Sequence, residues 1–260
     1  MVENLKLVVP RFISLYNETD LPDEEAWKTY SPRLSAVSAY KIFADPRLGL
    51  SGGSFTINRG GLDLDLNFSK DRMTAANLQV SLYNSKYVDL DKLFVFANKG
   101  GLGTDIFTTL LHHCATQEKE ILVDADYELG PRFWGQMGFK MNEQYADTMR
   151  DKMLGRWNKI KPTIPEKDKD IVSLVDGLLA NEWIAGYRML WAIADITYPV
   201  NPLAENPDML KKDENGKIPL SLAVLSGRSM SWKGSFNTRD SESMTRVENY
   251  LLMRDQRREK

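Results

Sequence analysis

Cysteine is nearly missing from this chain of 260 residues: Cys114 stands alone, which rules out an internal disulfide framework and suits a reducing compartment. Histidine is equally scarce. The two that exist, His112 and His113, are adjacent, and with one cysteine they make a structural zinc site improbable, so no metal is expected. Charge of one sign is absent too. With 34 basic and 36 acidic residues the formal net charge is −2, giving no general attraction to nucleic acid or anionic lipid. Nor is there an uninterrupted apolar run. The longest apolar-rich stretch, Ile171 to Ile196, is broken by Asp176, Asn181, Glu182, Arg188 and Asp195, so no membrane span is expected. Met1 to Pro10 lacks the apolar core of a signal peptide, and cytoplasmic residence is the expectation.

What is present is a soluble globular composition, 42% hydrophobic and 27% charged. Residues 1–50 mix short helical patterns with Pro10, Pro22, Pro32 and Pro46 and read as an N-terminal helical cap. From Ser54 the apolar period becomes two. Phe55 and Ile57, then Leu62 to Phe68, then Leu78, Val80 and Leu82 predict three strands, with a shorter one over Leu93 to Phe96. The connections are short, so an antiparallel meander is expected, with Asn84 to Asp91 as one of them. Ile106, Phe107, Leu110, Leu111 and Cys114 then form one helical stripe, with both histidines off it and exposed. Ile121 to Ala125 reads as a strand parallel to the one before that helix. Leu129 to Met137 reads as a helix with Pro131 in its first turn, ended by Gly138, and Phe139 opens a short strand. Beyond, Met149 to Trp157 looks helical, Lys161 to Asp170 looks like a linker, one long amphipathic helix is expected from Lys169 to Ile196, and a last helix from Ser241 to Arg258.

The densest chemical signal lies where a strand meets a helix, in Phe94-Val-Phe-Ala-Asn-Lys-Gly-Gly-Leu-Gly-Thr-Asp105. Three glycines in four residues, Gly100, Gly101 and Gly103, exceed what a tight turn needs. A helix N-terminus offers unpaired amides and a positive dipole end, which suit a pyrophosphate. A turn with no ligand is the other reading.

Asn98-Lys99-Gly100-Gly101-Leu102-Gly103, followed by Arg132-Phe133-Trp134-Gly135-Gln136-Met137-Gly138-Phe139, resembles the GCN5-related N-acetyltransferase superfamily. The first block is similar to its Arg/Gln-x-x-Gly-x-Gly/Ala loop and the second to its Arg-x-Tyr-x-x-x-Gly-Phe ending. Asn98 replaces the usual Arg or Gln, and Trp134 stands where many members carry the tyrosine that protonates the departing thiolate. The resemblance covers about Ser54 to Asn142. It implies an α/β (α+β) fold with a mixed, mostly antiparallel central sheet and flanking helices. The domains would be a cap at 1–50, an acyl-CoA-binding core at 51–148 and a mainly helical extension at 149–260. It implies acetyl-CoA, or another acyl-CoA, held by Phe96, Asn98, Lys99, Gly100, Gly101, Leu102, Gly103, Thr104, Arg132 and Trp134.

In that family the acyl group is delivered where two parallel strands splay. Asp124 and Asp126 share one face of their strand and would converge there, so either could take a proton from an attacking amine if burial beside Phe and Trp prepared it. Glu128 is a third candidate. Tyr127 sits where members often contact the pantetheine arm, and Tyr127 or Tyr145 could replace the missing acid. Solvated aspartates and tyrosines that merely pack are the alternatives.

Further on, Ser226 to Arg239 carries Arg228, Lys233 and Arg239 among Trp232 and Phe236, a pattern that in a flexible segment suits phosphate contact and base stacking. An ordinary surface loop is the other reading of it. Trp183, Tyr187 and Trp191 suit core or a dimer contact. The expected function is therefore acyl transfer, acetyl being the expected group, to an amine of a small molecule, protein or nucleic acid. The alternatives are a base-modifying enzyme gripping nucleic acid through 226–239, and an inactive binding module. The oligomeric state is not legible.

Overall fold

The computed structural model describes residues 50–58, 61–70, 73–82, 86–95, 101–116, 118–125, 130–206 and 210–258. The cap expected at residues 1–50 therefore lies almost wholly outside the described residues. The fold is mixed α/β, with a mostly antiparallel central sheet and flanking helices. The chain divides into two compact units, Met1–Val123 with Asn237–Arg239, and Asp124–Phe236 with Asp240–Lys260.

In the first unit, β1 (Leu50–Asn58), β2 (Gly61–Lys70), β3 (Met73–Leu82) and β4 (Tyr87–Val95) form the antiparallel meander. Strict alternation sets the register: Leu66 faces Leu78 and Phe68 faces Ala76, all buried, while Asp65 and Asn67 point to the other face. There the Asn77 amide donates to Asp65 at 2.6 Å. β4 is longer than Leu93 to Phe96. Tyr87 to Asp91, read above as a connection, belongs to it, with Val88 and Leu90 buried. Its pairing with β3 shifts between Val80–Leu90 and Gln79–Lys92, which leaves Asp91 as an extra residue in a bulge.

Helix α1 (Leu102–Thr116) buries Ile106, Phe107, Leu110, Leu111 and Cys114 and leads to β5 (Glu120–Ala125). β5 pairs with β4 in parallel, as expected for two strands joined by a helical crossover.

The second unit is built on α2 (Gly130–Gln136), β6 (Lys140–Met141), α3 (Ala146–Ile160), α4 (Lys169–Ala180), α5 (Gly186–Ala194), β7 (Pro199–Val200), β8 (Ile218–Pro219), α6 (Leu220–Leu225), β9 (Trp232–Asn237) and α7 (Ser241–Arg258). A boundary at 148/149 would cut α3. The Lys161 to Asp170 stretch is a pair of short 3-10 turns leading directly into α4.

The single helix expected over Lys169 to Ile196 is two. Asn181 leaves α4 with extended backbone, and its side-chain oxygen accepts from the Trp183 amide at 3.0 Å, a local turn that competes with helix. Arg150 of α3 then donates to the freed carbonyls of Leu179 and Asn181, each at 2.9 Å. Gly186 starts α5, where a Cβ would stand 2.6 Å from that of Ala146; only glycine allows the approach. α6 is buried along its whole length, and α5 packs on both α2 and α6.

Candidate functional site

Two of the glycines in the turn before α1 have identifiable causes. Gly101 has φ +94°, a left-handed conformation that L side chains rarely adopt. Gly103 has no room for a side chain, because a Cβ there would lie 2.8 Å from Cγ2 of Val95 on β4. Among the described residues the first intrahelical bond of α1 runs from the Asp105 amide to the Gly101 carbonyl at 3.0 Å. The amides of Leu102, Gly103 and Thr104 form the first turn, where an α-helix leaves its N–H groups without i−4 acceptors. Such a turn fits a pyrophosphate in chemistry, although Asp105 adds a carboxylate at the same end. Leu102 and Thr104 have buried side chains, so only their backbone is open to a ligand. Phe96, Asn98, Lys99 and Gly100 lie outside the described residues, as do Asp126, Tyr127 and Glu128.

Upstream of that turn, β4 and β5 are paired from Tyr87–Glu120 to Leu90–Val123, and the register ends there although β4 continues to Val95 and β5 to Ala125. Along β5, Ile121, Val123 and Ala125 are buried and Asp124 is exposed, the alternation expected of it.

Gly101 to Thr104 belong to the first unit; Asp124, Arg132 and Trp134 belong to the second. The Asp124 side chain is half-exposed, not buried beside aromatic rings, and its carboxylate accepts from the ammonium of Lys233 on β9 at 3.0 Å. Arg132 is fixed by donating its Nε–H to Ser221 Oγ at 2.8 Å. Trp134 is 6% exposed and packs edge-on against Phe133 and Phe139, with centroids 4.7 and 5.0 Å away. It is a packing residue of this unit. Tyr145 ends a 3-10 turn at the start of α3, half-buried.

Much of Ser226 to Arg239 is regular secondary structure. Its central part is β9, antiparallel to β6, with Trp232 and Phe236 fully buried. Neither ring offers a stacking platform. Of its cations, Lys233 pairs with Asp124 and Arg239 with Glu118. The preceding turn is pinned by Arg156, a buried guanidinium that donates to the carbonyls of Val224 (3.1 Å) and Ser226 and to Ser229 Oγ at 3.1 Å. Trp191 is buried and donates to the Phe139 carbonyl at 2.8 Å, whereas Trp183 is 97% exposed.

His113 is buried, against the exposed position expected for it; only His112 is exposed. Its place follows from spacing, since Ile106, Leu110 and His113 lie at i, i+4 and i+7. Burial, with Lys119 and His112 nearby, lowers its pKa to about 4. Burial pushes the Cys114 thiol up to about 12. Lys119, 2% exposed, has an Nζ without a hydrogen-bond partner among the described residues, and its pKa is lowered by the same desolvation. This cluster closes the C-terminal end of α1, where the Lys119 amide bonds the Cys114 carbonyl at 2.8 Å. Lys119 escaped the reading of the sequence, and Lys233 entered it only as a phosphate contact. The signal for Lys233 was its outward position between Trp232 and Gly234 on a strand.

Among the described residues no group of three or more His, Cys, Asp or Glu side chains could hold a metal ion, and no helix is long and apolar enough to cross a membrane. No protein-family model matches the chain, and no curated protein matches it.

Proposed function

We propose that this protein is an acyl-CoA-dependent N-acyltransferase related to the GCN5-type acetyltransferases, moving an acyl group, acetyl first among them, to an amine. One observation carries the reading: a parallel strand pair whose pairing ends at Leu90–Val123, followed on one side by a turn with Gly101 in a left-handed conformation that opens a helix. Separating parallel strands leave backbone groups free for an extended pantetheine arm, in the manner of an added strand. When bound, acyl-CoA would supply the activated thioester, and the first-turn amides of α1 would hold its pyrophosphate.

Calorimetry with acetyl-CoA tests this, alongside a Gly101→Glu variant. Wild-type protein is expected to bind and the variant to lose binding, through both the added charge and the forbidden φ. Absence of any heat with wild type at high micromolar CoA overturns the proposal.

A second reading, a binding module of the same fold without turnover, is favoured by Trp134. Its indole is a hydrogen-bond donor only and lies in the core, so it does not serve as the acid for a leaving thiolate. Turnover of acetyl-CoA with any amine eliminates that reading. The nucleic-acid reading gains no support from β9, whose aromatic residues are buried.

A further inference from the structure

The last turn of α1 and the start of β5 bring two buried polar atoms without partners to one place. His113 is 6% exposed and Lys119 2% exposed, and among the described residues neither His113 Nδ1 nor Lys119 Nζ has a hydrogen-bond partner. The backbone sets them near each other. Glu118 takes a left-handed conformation at φ 54°, which turns the chain back over the helix end, and the Lys119 amide then bonds the Cys114 carbonyl at 2.8 Å. Glu120 follows and opens β5, its amide on the Lys86 carbonyl at 2.8 Å. The charge of Lys119 acts on both the His113 ring and the Cys114 thiol, so its ammonium lies close to these two side chains. All of these residues belong to the first unit.

Both polar atoms ask for the same partner. A lysine ammonium only donates, and a neutral imidazole with its proton on Nδ1 donates from that atom. A buried cation without a counter-charge is costly for a fold to hold. Glu118, the carboxylate just before Lys119, is taken up by Arg239. The group that favours the lysine's charge is the Cys114 thiol, itself kept neutral by burial. The ammonium groups of Lys140 and Lys159 face carboxylates instead. Other buried polar atoms without a partner, Asn77 Oδ1, Trp232 Nε1 and Ser243 Oγ, belong to neutral side chains, so the charge is out of balance at the end of α1.

We propose that the C-terminal end of α1 is a buried anion site, holding one monovalent anion of chloride size between Lys119 Nζ and His113 Nδ1. One lysine balances one negative charge. The negative end of the helix dipole lies here and repels a second, which disfavours sulfate and phosphate. Both donor atoms are closed to bulk water, so a bulky organic anion such as gluconate is excluded, and the ion enters when the helix end opens. Bound there, it ties the end of α1 to the start of β5. The site is independent of the acyltransferase reading above.

The test is thermal unfolding of the full chain at about pH 7 in sodium gluconate, with chloride replacing gluconate at constant ionic strength. Wild-type protein is expected to gain about 2–4 °C when chloride reaches about five times its dissociation constant, because only the folded state holds the ion. Lys119→Met, which keeps the reach of the side chain and removes its charge, is expected to lose that response. His113→Leu is expected to raise the chloride concentration of half-effect at least about tenfold, through loss of one N–H donor. Bromide is the direct probe: crystals of wild-type protein grown in sodium bromide are expected to show an anomalous peak within hydrogen-bond distance of Lys119 Nζ. That arm stands whether or not the variants fold. Equal chloride responses in wild type and Lys119→Met, an unchanged half-effect concentration in His113→Leu, or a bromide map without a peak there overturns the inference, and none of these results bears on acetyl-CoA binding.

Discussion

Gly103 in the first turn of α1 and Val95 at the end of β4 are in such close contact that a single added methyl group would stand 2.8 Å from Val95 Cγ2. The start of the helix is thereby locked to the strand that precedes the glycine turn. Gly103→Ala gains helix propensity, but it forces a β-branched side chain to move, and overpacking of this kind costs about 1–3 kcal/mol. We expect net destabilisation of roughly 1 kcal/mol in urea unfolding, set by the difference between those two effects. Val95→Ala in the same chain should abolish the penalty. A double variant no more stable than the single one would show that the contact is not the cause.

Gly138 follows α2 at φ +88°, and a Cβ there would lie 2.7 Å from the Ser243 carbonyl oxygen. Alanine at that position meets both the left-handed penalty and a backbone clash, and we expect a loss of about 2–4 kcal/mol. Gly155, inside α3, where an added Cβ would meet no atom of the described residues within 4 Å beyond its own helix backbone, should behave oppositely. Gly155→Ala is expected to stabilise by about 0.5–1 kcal/mol, because only backbone entropy changes. Parallel urea titrations of the two variants decide it. Equal shifts in midpoint would contradict the distinction.

Those two glycines also show where the sequence speaks and where it is silent. Gly138 could be read as a helix stop because the pattern around Leu129 to Phe139 is local. The meander was legible for the same reason: Leu62 to Phe68 alternates without a break, and one face had to be buried. The start of β4 was hidden because the bulge at Asp91 interrupts the alternation of Val88 and Leu90. β9 was hidden by Ser, Gly, Lys and Asn, weak strand formers, although Trp232, Gly234 and Phe236 keep a period of two. The break after Ala180 left no mark in the apolar pattern. It depends on Arg150, about thirty residues away, and on a small residue at Gly186. The site follows the same division. The glycines announced a turn, but the ion pair of Asp124 with Lys233 joins residues more than a hundred positions apart, and no periodicity encodes it.

Cys114 is fully buried, with its thiol pushed up to about 12 from 9.0. A shift of that size lowers the thiolate fraction by about a thousandfold, and burial adds a steric barrier. Native protein at pH 8 should therefore react with a thiol reagent only as fast as the α1 region opens. Labelling is expected to accelerate sharply through the urea transition. Complete reaction of the native protein within the mixing time would mean that Cys114 is accessible.

His113 is buried in neutral form, its pKa lowered to about 4 from 6.5 by desolvation first and then by Lys119 and His112. The unfolded chain binds a proton at this site below pH 6.5 while the folded chain resists it until about pH 4. Stability tied to this residue is thus fully present above pH 6.5 and is lost progressively as pH falls to about 4, by up to roughly 3 kcal/mol. Carboxylates titrate at the lower end of that window, so the informative quantity is a difference. His113→Leu should flatten the fall in unfolding free energy between about pH 6.5 and about pH 4.5, a range where carboxylates contribute least, while leaving the slope below about pH 4 in place. Identical pH profiles for wild type and His113→Leu would place His113 in contact with water.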